Sequence, residues 1–204
     1  MDAKAHWEKI YATKLPEQVS WYQVQPQESI NLIQRTGVSK AAQIIDVGAG
    51  TSMLVDYLLN EGFGHISVLD ISRTALEGAK SRLGLHAAEV TWVEDDITQN
   101  TLPLSYYDVW HDRAVFHFLT DVKDRVKYVN AVKRSLKANG HVVIASFAPD
   151  GPTQCSGLDV MRYSPDSLHH EFGEDFELIE SRSENHLTPF GTQQKFIYCY
   201  CRKQ

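Results

Sequence analysis

Apolar residues follow two different periods along this chain, and the two periods alternate. Short runs rich in β-branched residues predict buried strands, and stretches with apolar residues every three or four positions predict helices. The pattern predicts strands at 44–47, 65–70, 90–93, 107–110 and 141–147, separated by helices at 53–59, 73–83 and 122–136. The last of these helices is expected to turn Val122, Val126, Val129 and Val132 inward.

Both ends of the chain add elements to this alternation. Residues 4–12 predict a short helix with Trp7 and Tyr11 on one face, and Pro26 suits the first turn of a second helix. Two further apolar runs near the C-terminus predict a β-hairpin, at 176–182 and 195–201.

Alternating strands and helices that end in a hairpin favour an α/β fold. We expect a doubly wound, mainly parallel seven-stranded sheet with helices on both faces and a C-terminal antiparallel β-hairpin. The chain is expected to form a single domain over 1–204, with N-terminal lid or cap helices in 1–36 and a core in 43–204.

Composition narrows the class of protein without naming a function. The 204 residues are 43% hydrophobic and 23% charged, as in soluble globular proteins, and the formal charge of −6 argues against a nucleic-acid partner. No signal-peptide core and no apolar run of membrane-spanning length is found, so we expect a cytoplasmic protein without a membrane partner. Three cysteines outside any CxxC spacing fit a reducing compartment and predict no metal site.

The most informative stretch joins the first predicted strand to the helix after it. Gly48 and Gly50 would let backbone approach a ligand closely, beside the free amides of the helix N-terminus. Asp70 ends the second strand, at about the spacing from this turn at which a carboxylate accepts from ribose hydroxyls. Because Met53 replaces the third glycine that a pyrophosphate needs, we expect a nucleoside ligand without phosphates.

The segment Asp46-Val-Gly-Ala-Gly50 resembles the first motif of class I methyltransferases that use S-adenosylmethionine (SAM), D/E-x-G-x-G-x-G, with Ser52 at the last glycine. The turn Leu136-Lys-Ala-Asn-Gly140 is similar to the family's L-K-P-G-G before the fifth strand. The resemblance covers the chain from about Gln43 onwards. It implies a Rossmann-like core, SAM as the cofactor and S-adenosylhomocysteine as its product.

The resemblance assigns the amino-acid end of SAM to the glycine turn. Gly48 and Gly50 would admit it against bare backbone. Asp46 would organise the turn or contact the methionine amino group.

The resemblance also assigns the nucleoside end. Asp70 would hold both ribose hydroxyls, and Ile71 would lie against adenine. Asp96, or the adjacent Asp95, would accept from the adenine amino group, and Ile97 would offer its backbone amide to the ring.

In this family the segment after the fourth strand faces the transferred methyl group. Here it begins with His111 and Asp112, which are near enough in sequence to act together as a catalytic pair. Arg113 would hold an anionic acceptor or orient Asp112. The alternative is a structural ion pair between Asp112 and Arg113, with His111 packed on the cofactor.

Aromatic residues near the N-terminus resemble the lid of small-molecule thiol methyltransferases and of some lysine methyltransferases. Trp21 and Tyr22 would close over SAM, where an aromatic face stabilises the sulfonium charge. Trp7 and Tyr11 are expected to pack against the sheet edge instead.

Other candidates for the acceptor pocket lie late in the chain. Phe147 and Tyr163 would line it, with core packing as the alternative. The turn of the final hairpin would add His186, Thr188 and Phe190.

These features favour a SAM-dependent methyltransferase that moves the methyl group by in-line displacement to a small-molecule nucleophile, with a thiol as the leading subclass. The alternatives are a protein lysine or N-terminal methyltransferase and a SAM-binding regulator without turnover. Lysine-modifying relatives carry an Asp-Lys-Gly-Thr-type segment where this chain has His111-Asp-Arg-Ala. A monomer or weak homodimer is expected.

Overall fold

The computed structural model describes residues 2–99 and 102–204, so the first residue of the expected lid segment lies outside the described residues. The helices are α1 (Ala3–Thr13), α2 (Gln27–Arg35), α3 (Leu54–Asn60), α4 (Arg73–Leu83), α5 (Val122–Ser135) and α6 (Pro165–Phe172). The strands are β1 (Gln43–Val47), β2 (His65–Asp70), β3 (Val90–Glu94), β4 (Tyr107–Arg113), β5 (Leu136–Phe147), β6 (Gln154–Cys155), β7 (Leu158–Asp159), β8 (Phe176–Leu187) and β9 (Gln193–Lys203).

Seven of these strands form one sheet, in the order β3-β2-β1-β4-β5-β9-β8. The first five strands in this order run parallel to one another. β9 runs antiparallel to both β5 and β8. The order of the chain reverses between β1 and β4, which makes this the switch point of the sheet. The predicted fold class, including the C-terminal antiparallel hairpin, is confirmed.

Apolar side chains on the two faces of the sheet form separate cores. Ile44 packs on the face covered by α2, α3 and α4, whereas Ile45 packs on the face covered by α5 and α6. Neighbouring residues of a strand point to opposite faces, so a continuous apolar run such as β1 serves both cores at once.

Side-chain caps fix where the helices begin. Ser72 Oγ accepts from Ala75 N at 3.2 Å at the start of α4, and Asp121 Oδ1 accepts from Lys123 N at 2.8 Å at the start of α5. These short polar side chains satisfy amides that have no partner within the helix. Both caps hold the loops that precede them, and these loops border a cavity at the carboxyl ends of the strands.

Three details differ from the sequence-based expectation. β5 begins at Leu136, where a turn was expected before a strand at 141–147. Val122 and Val126 are exposed, 60% and 53%, because the buried stripe of α5 runs through Tyr128, Val129 and Val132. β4 continues to Arg113, three residues beyond the predicted strand 107–110. No helix among the described residues is long and apolar enough to cross a membrane.

Candidate active site

A cavity of about 290 Å³ lies at the carboxyl ends of the parallel strands, beside the switch point. Open α/β sheets bind ligands at this position, in pockets of roughly 300–1,000 Å³. The residues of its wall are Ala3, Trp7, Tyr11, Trp21, Val47, Gly48, Leu69, Asp70, Ile71, Asp95, Asp96, Ile97, Thr98, Arg113, Ala114, Val115, Phe118, Leu119, Thr120, Asp121, Asp124, Cys155 and Leu158.

The glycine turn after β1 presents bare backbone to this cavity. Gly48 and Gly50 adopt φ of 62° and 53°, a region that disfavours residues with a Cβ. A Cβ on Gly48 would overlap Val115 Cγ2, and a Cβ on Gly50 would overlap the Tyr11 hydroxyl. Only glycine leaves room at both positions.

Asp70 ends β2 and lies in the wall, with only 4% of its surface exposed. Its Oδ2 accepts from Gly50 N at 2.7 Å and its Oδ1 from Ser72 N at 2.8 Å. Burial raises the pKa of Asp70 to about 6, although these two amides oppose the rise. Each oxygen keeps a second lone pair, which suits a pair of hydroxyl donors.

The loop after β3 supplies a second acidic group of the wall. Asp95, Asp96 and Ile97 all line the cavity, as does Ile71 after β2. Asp96 Oδ1 accepts from the backbone and the hydroxyl of Thr98, both at 2.8 Å. Isoleucine side chains and carboxylates in one wall suit a flat base with an amino group. Both Asp95 and Asp96 are placed to accept a hydrogen bond from such an amino group.

A smaller cavity of about 40 Å³ adjoins the glycine turn. Asp46 Oδ2 is buried there without a hydrogen-bond partner, while Asp46 Oδ1 lies 2.6 Å from His111 Nδ1. The residues that line this cavity are Val19, Trp21, Tyr22, Gln23, Pro26, Ser29, Asp46, Gly48, Ala49, Thr51, Ser52, His111 and Arg113. An unpartnered buried carboxylate oxygen suits a cationic group.

His111 and Asp112 do not meet as a catalytic pair. They are neighbours on a strand, so their side chains point to opposite faces of the sheet. Asp112 is fully buried outside both cavities, where it accepts from Val115 N, Phe116 N and, at 2.6 Å, the Tyr128 hydroxyl. These contacts give Asp112 a role in shaping the loop after β4, which corrects its expected position beside the acceptor.

Arg113 lines both cavities, and its guanidinium is engaged by the protein. It donates to the Tyr198 hydroxyl and to Trp21 O, each at 3.0 Å, and lies 3.4 Å from Glu184. It also lies 4.2 Å above the centre of the Phe196 ring. The expected ion pair with Asp112 does not form.

The N-terminal aromatic residues cover the cavity from outside. Trp7 contacts the rings of Tyr11, Trp21 and Phe118, with centroids 6.2, 5.8 and 5.0 Å apart. All four rings belong to the wall, so the prediction that Trp7 and Tyr11 merely pack on the sheet edge was wrong. Tyr22 lines the smaller cavity instead.

The late candidates for the acceptor pocket lie outside both cavities. Phe147 is buried and stacks on His117 with centroids 4.6 Å apart, and Tyr163 is buried in the core beside α5 and α6. His186 Nε2 lies 2.7 Å from Ser20 O and holds the segment before Trp21. Core packing, the alternative for the two aromatic residues, is what is found.

Several wall residues had no signal in the sequence. Phe118, Leu119 and Asp124 extend the wall well past the segment that was expected to face the methyl group. Cys155 and Leu158 reach it from the β6–β7 hairpin. A pattern of apolar residues cannot show which loop folds back over a site.

Polar and glycine groups of the two cavities fit SAM. The unpartnered Asp46 Oδ2 suits the methionine ammonium, and Asp70 suits the ribose hydroxyls. Gly48 leaves the backbone open between them, and Trp21 faces both cavities at the lid.

Sequence comparison identifies a methyltransferase domain, whose family model matches residues 45–142. The human protein EEF1A lysine methyltransferase 2 is 24% identical over 196 residues, which span 88% of this chain and 76% of the relative. The Danio rerio protein of the same name is 29% identical over 125 residues, 57% of this chain and 53% of the relative.

Solved structures share the fold at low identity. A structure described for the conversion of a disulfide bond into a thioacetal group during echinomycin biosynthesis has a TM-score of 0.80, 16% identity and coverage of 98% and 92%. The N-methyltransferase NodS of Bradyrhizobium japonicum, solved with S-adenosylhomocysteine, has a TM-score of 0.72, 15% identity and coverage of 100% and 99%. Residues 45–142 therefore form a methyltransferase domain, and the chain has the class I, Rossmann-like fold of methyltransferases that use SAM.

Proposed function

We propose that the methyl acceptor is a nitrogen, the ε-amine of a lysine side chain in a protein. The curated relatives described above carry the name of a lysine methyltransferase, and the human one is matched along most of this chain. At this level of identity the acceptor does not transfer by similarity alone. The proposal therefore depends on the chemistry of the cavity.

The charge of the cavity wall carries the proposal. Its carboxylates come from Asp70, Asp95 and Asp96 at the expected cofactor end and from Asp121 and Asp124, of which Asp124 is paired with Lys127 at 2.8 Å; together they outnumber the single guanidinium of Arg113. A thiolate acceptor would need cations to stabilise it. Arg113 is already engaged by Trp21 O, Tyr198 and Glu184, so the wall favours an acceptor that arrives as a cation.

The aromatic wall supports the same class of acceptor. Trp7, Tyr11, Trp21 and Phe118 present ring faces and edges to one end of the cavity. Ring faces attract ammonium and sulfonium groups alike.

The protein's part in the reaction is alignment and exclusion of water. Bound SAM supplies an electrophilic methyl group, and the walls hold the acceptor in line with it. A lysine ammonium must lose a proton before its nitrogen attacks. The carboxylates of the wall lower the electrostatic cost of bringing the cation to the site before that step.

Transfer from labelled SAM into fractionated cell extract tests the proposal. Extract is desalted, and the protein fraction and the small-molecule filtrate are offered separately to the purified enzyme. We expect label to enter only the protein fraction; an assay without enzyme is the blank, and Asp70→Asn at a limiting concentration of SAM is the matched low-activity variant. Transfer that requires the filtrate would favour the small-molecule acceptor instead.

A further inference from the structure

A buried polar chain links the cofactor end of the site to helix α2. His111 Nδ1 lies 2.6 Å from Asp46 Oδ1, and His111 Nε2 lies 2.8 Å from Ser29 Oγ. The side chains of His111 and Asp46 are each 3% exposed, and Ser29 is fully buried. All three residues line the smaller cavity.

The direction of these hydrogen bonds follows from the groups themselves. A carboxylate oxygen only accepts, so Nδ1 of His111 carries the hydrogen that points at Asp46. In the neutral ring Nε2 then accepts from the Ser29 hydroxyl. Both ring nitrogens are therefore hydrogen-bonded within the protein, and neither is left to take a proton from a methyl acceptor.

The strand register explains why only one oxygen of Asp46 is held. Asp46 of β1 and His111 of β4 are directly paired across the switch point, so their side chains leave the same face of the sheet. His111 holds Oδ1, and Oδ2 is left buried without a partner in the smaller cavity. A buried oxygen in this state is costly until a donor reaches it.

We propose that His111 is a positioning residue for the cofactor. Ser29 fixes the ring, the ring fixes the rotation of the Asp46 carboxylate, and the free oxygen is thereby presented to the methionine ammonium of SAM. This role concerns only the cofactor end and holds whatever the methyl acceptor is.

The groups around the chain support a fixed arrangement. Ser29 neighbours Tyr198, whose pKa burial raises to about 12, with the Arg113 charge and the Ser29 hydroxyl among the groups that act on it. Tyr198 accepts from Arg113 at 3.0 Å and donates to Glu184 at 3.1 Å. The wall behind His111 is thus a hydrogen-bonded network rather than open solvent.

Substitution of His111 separates the cofactor role from a catalytic one. We expect His111→Ala to weaken SAM binding roughly 10- to 100-fold, the range of one hydrogen bond to a charged group, and to leave kcat at saturating SAM within about threefold of wild type. His111→Asn, whose amide can still donate to Asp46, should restore part of the affinity. Calorimetry gives the affinity, and initial rates separate kcat from the KM for SAM.

Ser29→Ala tests the same chain with a small change in volume. It should weaken SAM binding several-fold, by roughly two- to tenfold, with kcat unchanged. His141→Asn is the matched control, because His141 also lies on a strand of the sheet and contacts a tyrosine hydroxyl, Tyr200, at 3.0 Å, outside both cavities. Wild-type SAM affinity in both His111→Ala and Ser29→Ala, or a loss of kcat with unchanged affinity in His111→Ala, would overturn the proposal.

Discussion

Asp70 is the residue whose charge state we expect to bear most directly on cofactor binding. It is nearly buried, it accepts from the amides of Gly50 and Ser72, and its pKa is raised to about 6 by burial. Below that pH the carboxyl carries a proton and one oxygen becomes a donor. If Asp70 binds the ribose as proposed, the hydroxyls would then lose part of their hydrogen-bond acceptor.

The affinity for SAM should therefore fall as the pH drops through about 6, because the charged form of Asp70 binds and its proton must leave first. Asp70→Asn should bind SAM roughly 10- to 100-fold more weakly and without this pH dependence. Titration calorimetry from about pH 5 to about pH 8 measures both effects. Asp175→Asn, at an exposed carboxylate paired with Lys133, is the control, and a pH-independent wild-type affinity would contradict the ribose role.

Gly48→Ala should reduce both stability and SAM affinity, since the new methyl group overlaps Val115 and the backbone has φ of 62°. Gly37→Ala isolates the backbone effect, because Gly37 has φ of 69° but nothing within 4 Å of a Cβ. We expect about 1–2 kcal/mol from the backbone alone and about 1–3 kcal/mol more from the overlap. Thermal unfolding measures the difference in stability between the two variants. Equal losses of stability would show that the Val115 side chain moves aside.

The prediction that His111 and Asp112 act together as a catalytic pair was wrong. Polar residues after Trp110 predicted the end of the strand, but β4 continues to Arg113 and sends the two side chains to opposite faces. The partners that satisfy them, Asp46 for one and Tyr128 for the other, are distant in sequence. A local pattern contains no information about such partners.

At the scale of elements, helix α1 is the piece of the structure that covers the site. Glu8 accepts from Arg73 N at 2.6 Å, from Thr74 N at 3.2 Å and from Ser72 Oγ at 3.1 Å. Burial acts to raise the pKa of Glu8, but these hydrogen bonds bring it below its ordinary value. One carboxylate thus holds the covering helix on the N-terminus of α4, next to Asp70.

Glu8→Ala should loosen α1 and weaken SAM binding by about fivefold, the equivalent of about 1 kcal/mol for one lost helix cap. It should also speed proteolysis within α1. Lys9→Ala, at the exposed neighbouring position of the same helix, controls for changes in helix propensity. Unchanged affinity and unchanged proteolysis in Glu8→Ala would mean that the capping contact does not hold the helix.

Elements were more predictable than their orientations. Alternating apolar runs predicted the order of strands and helices. The exposed Val122 on α5 and the cavity-facing Trp7 on α1 were placed wrongly. Which face of a helix is buried depends on the neighbour it meets, and a short helix of mixed polarity leaves that choice open.

At the scale of the whole molecule, the site joins parts of the chain that are far apart in sequence. The parallel strands bring residues of β1 and β2 to one edge, while α1, the loop after β4 and the β6–β7 hairpin contribute other parts of the cavity wall. The glycine turn and Asp70 predicted a nucleoside ligand, and the resemblance of Asp46-Val-Gly-Ala-Gly50 to a methyltransferase motif implied SAM. The acceptor depends on the assembled wall, where carboxylates and aromatic rings come together only in the folded protein.

The atom that receives the methyl group tests the central claim most directly. Protein labelled by the enzyme with methyl-labelled SAM is hydrolysed in acid, and the labelled amino acids are separated and identified by mass spectrometry. We predict label in methylated lysine, strongly reduced when Asp70→Asn replaces the wild type at a limiting concentration of SAM. Label in a methyl thioether, in the protein's α-amine or only in free small molecules would contradict the lysine acceptor.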